Sequence, residues 1–185
     1  MLQAEPHPGV RRVALLGGES SGKTTLAKNL ADALNTLWVP EYGRQRWEAV
    51  RRTLTADELL AVARQQVSWE DDYSARAVSW LICDTTPLTT LQYCLFDHGH
   101  APAELLALAH RPYALTVVCE PDFDFVQDGC RRDDGFRSKQ HAWTLGQLAA
   151  QGVESLAVSG TPAQRLQHVL QAMGSGAVLG LPSSA

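Results

Sequence analysis

A glycine-bracketed stretch near the start of the chain constrains the fold more than any other feature of the sequence. Residues 17–24 read Gly-Gly-Glu-Ser-Ser-Gly-Lys-Thr and match the pattern G-x-x-x-x-G-K-[ST]. The apolar run at residues 13–16 is typical of a buried strand, and the amphipathic residues 25–34 favour a helix. A strand, this turn and a helix in succession predict a loop that binds phosphate through its backbone N–H groups.

Each residue type in the loop suits a nucleoside triphosphate. Gly17 and Gly22 can adopt the positive-φ conformations that a tightly curled loop requires. Lys23 places an ammonium against the β- and γ-phosphates, and the hydroxyl of Thr24 can bind Mg²⁺. The alternative is an ordinary glycine-rich turn between a strand and a helix. The predicted nucleotide contacts are Gly17, Gly18, Glu19, Ser20, Ser21, Gly22, Lys23, Thr24 and Thr25.

Composition narrows the class of protein. The chain has 185 residues, of which 45% are hydrophobic, enough for the core of one domain. A net charge of −4 argues against duplex nucleic acid as a partner, because phosphate backbones require clustered Lys and Arg over a broad face. No apolar run approaches the roughly 18 residues of a membrane span, and the four cysteines include no C-x-x-C pair. We expect a cytoplasmic protein with free thiols and a small-molecule substrate, without nucleic-acid or membrane partners; the oligomeric state is not predicted.

Short apolar runs alternate with helical patterns along the chain. Five runs are predicted to be strands, at residues 12–16, 36–39, 80–83, 115–119 and 155–158. Capping boxes open predicted helices at residues 55–58 and 161–164. This alternation predicts a three-layer α/β fold, with a parallel five-stranded sheet and helices on both faces. We expect one domain over residues 12–173, between flexible ends at residues 1–11 and 174–185.

Two carboxylates follow predicted strands directly, where a parallel α/β sheet binds its ligands. Asp84 follows the third predicted strand and can hold Mg²⁺ together with Thr24; the alternative is that Asp84 caps the next helix. Glu41 follows the second predicted strand and can accept the proton of a substrate hydroxyl or bind a sugar. The alternative for Glu41 is a solvated loop residue.

A third candidate region is the charged segment at residues 120–139, which mixes acidic and basic side chains around two glycines. Such a composition is usual for a solvated loop. Phosphoryl transfer, however, develops negative charge, and kinases neutralise it with mobile arginines from a lid. Arg131 and Arg137 are the candidates for this role, whereas Arg132 is expected to pair with an aspartate.

Four stretches of the sequence form an ordered set of motifs, at residues 18–24 (G-x-E-S-S-G-K-[ST]), 41–44 (E-Y-G-R), 84–85 with 89–90 (D-T-D…T-T) and 125–131 (W-V-x-D-G-x-R). This set resembles the motifs of bacterial ribosylnicotinamide kinases, the kinase half of NadR-type proteins. The similarity runs from about residue 13 to residue 154. Thr86 and Phe125 depart from the family pattern, which often has Asp and Trp at these places.

The resemblance implies a P-loop NTPase fold and ATP-dependent phosphorylation of the 5′-hydroxyl of nicotinamide riboside, which gives nicotinamide mononucleotide. Mg²⁺ is then held by Thr24 and Asp84. The catalytic residues expected on this basis are Lys23, Glu41, Asp84, Arg131 and Arg137. The expected substrate contacts are Glu41, Tyr42, Arg44, Asp84 and Asp128.

Two other functions fit the same residues. A kinase of another nucleoside or nucleotide would use the same phosphate loop, because the residues that recognise the ring cannot be identified from spacing. A regulatory P-loop ATPase would hydrolyse ATP slowly without a small-molecule acceptor. A GTPase is excluded, because neither Asn29 nor Asn35 begins an N-K-x-D guanine motif.

Overall fold

Strands and helices alternate along the part of the chain that the structure describes. This computed structural model describes residues 9–127, 129 and 131–174. The elements are, in chain order, β1 (Arg11–Leu16), α1 (Lys23–Ala33), β2 (Leu37–Val39), α2 (Tyr42–Val50), α3 (Ala56–Ser74), β3 (Trp80–Asp84), α4 (Pro87–His98), α5 (Ala103–Leu108), β4 (Leu115–Cys119), α6 (Asp134–Ala150), β5 (Leu156–Val158) and α7 (Pro162–Gly174).

The strands form one parallel sheet of five, in the order β2-β3-β1-β4-β5. Each strand end lies within one residue of its predicted position, so the predicted parallel five-stranded sheet is confirmed. β1 is central, and Leu15 lies opposite both Asp84 of β3 and Val117 of β4. Because β1 and β3 are neighbours, the glycine-rich loop and Asp84 meet at the same edge of the sheet.

Helices cover both faces of the sheet. On one face, Leu26 of α1 and Val169 of α7 pack with Leu15 and Val117. Leu16 belongs to the opposite face, because successive side chains of a strand alternate. The buried residues from the helices of that second face include Leu59, Leu91, Leu105 and Leu148. The three predicted layers are therefore confirmed.

Both predicted capping boxes are present. At the start of α3, the Glu58 N–H donates to Thr55 Oγ1 at 3.2 Å, and the Thr55 N–H donates to Glu58 Oε2 at 2.9 Å. Before α7, Thr161 and Gln164 exchange the same pair of bonds, at 3.3 and 2.9 Å. These reciprocal bonds satisfy backbone donors that a helix start otherwise leaves unpaired, so they fix where the two helices begin.

The charged segment 120–139 is only partly a loop, which corrects the expectation. α6 begins at Asp134, and Asp133 caps it by accepting a hydrogen bond from the Phe136 N–H at 2.6 Å. Part of the acidic character of the segment is therefore helix-capping chemistry. Residues 120–133 connect β4 to α6 and are called the β4–α6 segment below.

The ends of the domain extend slightly beyond the predicted limits. β1 begins at Arg11 and α7 ends at Gly174, each one residue inside a segment predicted to be flexible. Flexible ends stay a prediction for residues 1–8 and 175–185, which lie outside the described residues. Among the described helices, none combines the length and the apolar character needed to cross a membrane.

We predict that Val117→Ala lowers the free energy of unfolding by about 2–3 kcal/mol, because two buried methyl groups are lost and a cavity remains. Val117 is 0% exposed on β4, next to the central strand, whereas Val78 is 89% exposed. Val78→Ala makes the same chemical change and should alter the free energy by less than about 0.5 kcal/mol. Denaturant unfolding measures both, and similar values for the two variants would contradict the core described here.

Candidate active site

One cavity opens at the carboxyl ends of β1, β2 and β3. Its volume is about 590 Å³, which is enough for two small ligands or parts of them. The glycine-rich loop forms one end of its wall, and side chains of α2, α3 and α4 form the other. Gly129, Arg131 and Arg132 of the β4–α6 segment complete the wall. The cavity therefore lies where a parallel α/β sheet is expected to bind its ligands.

The loop has the backbone geometry expected of a phosphate site. Gly17 has φ 134° and Gly22 has φ 80°, both in the region that side chains disfavour. A Cβ on Gly17 would also lie 2.6 Å from the backbone oxygen of Cys119. Both glycines are required by the fold, as the sequence predicted. Ser20 adopts φ 52° without being a glycine, so the loop also carries local strain.

Lys23 lies inside the curl of the loop. Its Nζ donates to the backbone oxygens of Gly17 at 3.1 Å and Gly18 at 2.7 Å. It lines the cavity together with Thr24 and Thr25. The ammonium is therefore placed where phosphate oxygens would be its other partners.

A buried arginine that the sequence analysis missed supports the same loop from behind. Arg165 of α7 is 3% exposed. Its guanidinium donates to the backbone oxygens of Ser21 at 2.7 Å, Gly160 at 2.9 Å and Glu120 at 2.9 Å. The spacing of apolar residues could have indicated the burial of Arg165, because it lies one turn before the buried Val169 on the same helix face.

Arg137, predicted to act from a lid, is placed differently. It is 6% exposed on α6, and the described residues that line the cavity do not include it. Its Nη1 donates to the backbone oxygen of Phe123 at 2.8 Å and approaches that of Ser20 at 3.5 Å. The geometry is that of a residue that positions the loop. A direct role of Arg137 in transfer stays a prediction that this placement does not support.

The β4–α6 segment brings two other arginines to the cavity. Arg131 lines it and donates to the backbone oxygen of Val126, and its action on a transferred phosphoryl group stays a prediction. Arg132 forms an ion pair with Asp97, which confirms the predicted pairing with an aspartate. Asp128, the predicted substrate contact in this segment, lies outside the described residues.

Glu19 ties the loop to its surroundings. Its Oε1 accepts a hydrogen bond from the Tyr93 hydroxyl at 2.8 Å, and its Oε2 accepts one from the Arg132 N–H at 2.7 Å. The Glu19 N–H in turn donates to Gln140 Oε1 at 2.8 Å. The side chain predicted to contact nucleotide therefore joins the loop to α4 and to the β4–α6 segment.

The donor set around Asp84 fits a magnesium ion. Thr24 Oγ1 donates to Asp84 Oδ2 at 2.6 Å, whereas the buried Asp84 Oδ1 has no protein partner among the described residues. The helix cap of α4 is Thr86, whose Oγ1 accepts from the Leu88 N–H at 3.2 Å, so the alternative capping role for Asp84 is wrong. The described residues hold no cluster of three or more metal-binding side chains. Mg²⁺ in such sites takes most ligands from phosphate and water, so a hydroxyl and one carboxylate are sufficient protein donors.

Glu41 lines the cavity between the loop and α2, and it is not the solvated loop residue of the alternative. Burial, and then the nearby Asp84 carboxylate, raise the pKa of Glu41 to about 7, although Lys23 and Arg44 oppose the shift. Burial also raises the pKa of Asp84. Asp84 is not itself part of the cavity wall but lies behind Thr24, which lines it. Two neighbouring carboxylates with raised pKa values, one in a cavity wall and one directly behind it, are typical of a catalytic site.

Two expected substrate contacts on α2 have different outcomes. Arg44 lines the cavity beside Glu41. Tyr42 does not belong to the cavity wall; its ring packs edge-on against Trp69, with centroids 4.9 Å apart. A substrate contact by Tyr42 has no support in this geometry, because apolar packing against α3 already uses the ring. Cavity residues that the sequence analysis missed include Trp47, Leu59, Val62, Gln66 and Tyr93.

Comparison with known proteins agrees with this architecture. The family model AAA_28, described as an AAA domain, matches residues 12–165. The chain belongs to this family. It is also 34% identical over 131 residues to the trifunctional NAD biosynthesis/regulator protein NadR of Escherichia coli K12 and, equally, to that of Salmonella typhimurium LT2. The match covers 66% of this chain and 31% of each relative, so the chain spans about a third of their length.

Solved structures share the fold. The crystal structure of NadR in complex with NR has a TM-score of 0.73 at 22% identity, over 95% of this chain and 54% of that one. NadR in complex with NAD and AMP-PNP gives a TM-score of 0.74 at 19% identity, over 95% and 52%. Thymidylate kinase from Ehrlichia chaffeensis gives 0.64 at 18% identity, over 90% and 99%. The five-stranded P-loop NTPase fold is thereby shown.

We predict that Lys23→Ala weakens binding of a fluorescent MgATP analogue by at least about tenfold, equivalent to about 1.4 kcal/mol, because the ammonium inside the loop is lost. Lys28→Ala removes the same charge from the exposed face of α1, outside the cavity, and serves as the matched control. Equal affinity in the two variants would contradict the phosphate site.

Proposed function

We propose that the chain is an ATP-dependent kinase that transfers the γ-phosphoryl group to the 5′-hydroxyl of nicotinamide riboside. The observation that carries the proposal is one continuous cavity that contains Lys23, Thr24 and Glu41, together with apolar and aromatic walls from α2 and α3. Such a cavity has room for a triphosphate at one end and a riboside at the other. The similarity to NadR, one of whose structures contains NR, supports this acceptor.

The residues allow an in-line transfer. Glu41 accepts the proton of the 5′-hydroxyl, whose oxygen attacks the γ-phosphorus while the bond to the β-phosphate oxygen breaks and ADP leaves. Lys23 and Arg131 line the cavity and oppose the negative charge that develops. Thr24 and Asp84 would hold Mg²⁺, which neutralises phosphate oxygens. Asp84 remains the second candidate for the base.

Charge supports a cationic acceptor. The carboxylates of Glu41 and Asp84 lie close enough for the Asp84 charge to raise the pKa of Glu41. The negative potential of the two groups favours a pyridinium ring over a neutral base at the acceptor end of the cavity. Nicotinamide riboside carries such a ring.

A second candidate is a kinase of another nucleoside or nucleotide. Its support is that the shared fold covers 99% of the thymidylate kinase chain and 99% of a deoxyadenosine kinase from M. mycoides, the latter at a TM-score of 0.58. A regulatory ATPase is the third, and ATP hydrolysis without any acceptor would distinguish it.

We predict that purified protein with MgATP phosphorylates nicotinamide riboside with a kcat/KM at least about tenfold above that for uridine or cytidine, equivalent to roughly 1.4 kcal/mol of transition-state binding. Coupled detection of ADP, with mass spectrometry of the phosphorylated riboside, measures this. A preference for a canonical nucleoside would show that nicotinamide riboside is not the acceptor. ATP hydrolysis with no phosphorylated riboside would favour the regulatory ATPase.

We predict that kcat/KM falls as the pH drops through about 7, because the raised pKa of Glu41 leaves the carboxylate protonated and unable to accept a proton below that pH. Glu41→Gln should keep MgATP affinity but lose most of the transfer, about a hundredfold or more. Glu154→Gln changes an exposed carboxylate outside the cavity and is the control. If the same pH dependence persists in Glu41→Gln with high activity, the base is another group.

A further inference from the structure

Gln66 carries an unused hydrogen-bond donor in the cavity wall. The residue lies on α3, is 2% exposed and lines the cavity. Its Oε1 accepts a hydrogen bond from the Tyr42 N–H at 3.1 Å, whereas its Nε2 has no protein partner among the described residues. A buried amide donor without an acceptor costs free energy, so an unpaired donor in a cavity wall calls for an explanation, and a bound ligand can supply the acceptor.

The bond to Tyr42 decides which end of the amide is available. A backbone N–H can only donate, so the oxygen of the Gln66 amide must face Tyr42 and the NH₂ group is left as the free end. Tyr42 directly follows Glu41, so this bond also holds the amide close to the carboxylate at the reacting end of the cavity. The orientation of the donor is therefore fixed by the start of α2.

The surroundings of Gln66 are those of a ring-binding wall. Leu59 and Val62 precede it on α3 at spacings of seven and four residues, which places all three on one helix face. Trp47 of α2 adds an aromatic surface to the same cavity. An apolar wall with one oriented polar group is the usual design for recognising a flat ring with a single polar substituent.

We propose that Gln66 is a specificity-determining residue that donates a hydrogen bond from Nε2 to the carbonyl oxygen of a carboxamide on the acceptor ring. The inference rests on the proposed function and adds the residue that distinguishes an acceptor ring with a carboxamide from one without it. An acceptor without that oxygen leaves the amide unpaired on binding, so it is discriminated against.

Two ribosides test the role: nicotinamide riboside and pyridinium riboside, which lacks the carboxamide but keeps the ring cation and the ribose. The wild-type protein should prefer nicotinamide riboside by at least about tenfold in kcat/KM. Gln66→Met should reduce this preference to about twofold or less, mainly by lowering transfer to nicotinamide riboside. Gln65→Met is the matched control, because the neighbouring amide does not line the cavity, and it should keep the full preference.

Gln66→Glu distinguishes the two roles of the amide: recognition of the ligand by Nε2 and acceptance of the Tyr42 N–H by Oε1. Burial raises the pKa of a carboxyl at such a position, so this variant is assayed at a pH above that pKa. Once ionised, it still offers an oxygen to the Tyr42 N–H but no donor to the ligand, and its charge acts equally on two ribosides with the same ring cation. It should lose the preference as Gln66→Met does. An unchanged preference in Gln66→Glu, or equal losses for both ribosides in Gln66→Met, would overturn the role while leaving the proposed function intact. Absence of transfer to both ribosides in the wild type would overturn both proposals.

Discussion

The site depends on how the glycine-rich loop satisfies its own backbone. A loop whose N–H groups converge on a ligand turns carbonyl oxygens elsewhere, and buried carbonyls need donors. Three cations supply them: Lys23 bonds the oxygens of Gly17 and Gly18, and Arg165 bonds that of Ser21, while Arg137 lies against that of Ser20. The phosphate site is therefore completed by α6 and α7, far along the chain from the loop.

Glu41 and Asp84 differ from the loop carbonyls, because their burial is largely uncompensated by other described groups of the protein. Burial disfavours their charged forms, and the residues that the structure describes offer few compensating bonds: among them, Thr24 donates one to Asp84. Such groups reduce stability, and they persist where a ligand completes their surroundings. Glu41 and Asp84 lie at the ends of β2 and β3. There, a bound cation or the hydroxyl of the proposed acceptor would offset the unfavourable free energy of burying them.

Local rules account for what the sequence predicted well. The strands, the capping box at Thr55 and the glycines of the loop depend on residues close in sequence, so pattern and turn chemistry identify them. Arg137 and Arg165 are different, because whether an arginine faces solvent or lies beneath a loop depends on helices that pack from elsewhere. The orientation of the Gln66 amide likewise depends on a contact from another helix, the hydrogen bond from the Tyr42 N–H of α2. α2 has no buried residue, so its sequence lacks the apolar periodicity from which a helix is predicted.

If the proposed function holds, the carboxylate of Glu19 connects the parts of the cavity wall that would hold the nucleotide and the acceptor. It is held at once by Tyr93 of α4 and by the backbone of Arg132, while its own backbone belongs to the phosphate loop. Three parts of the cavity wall thus share one anion, and in the proposed function the nucleotide and the acceptor would both lie against these parts. Where such coupling exists it is reciprocal: by whatever factor nucleotide binding alters acceptor affinity, the acceptor alters nucleotide affinity by the same factor. The order in which the two ligands arrive is then free to vary without changing the stability of the complex that they form together.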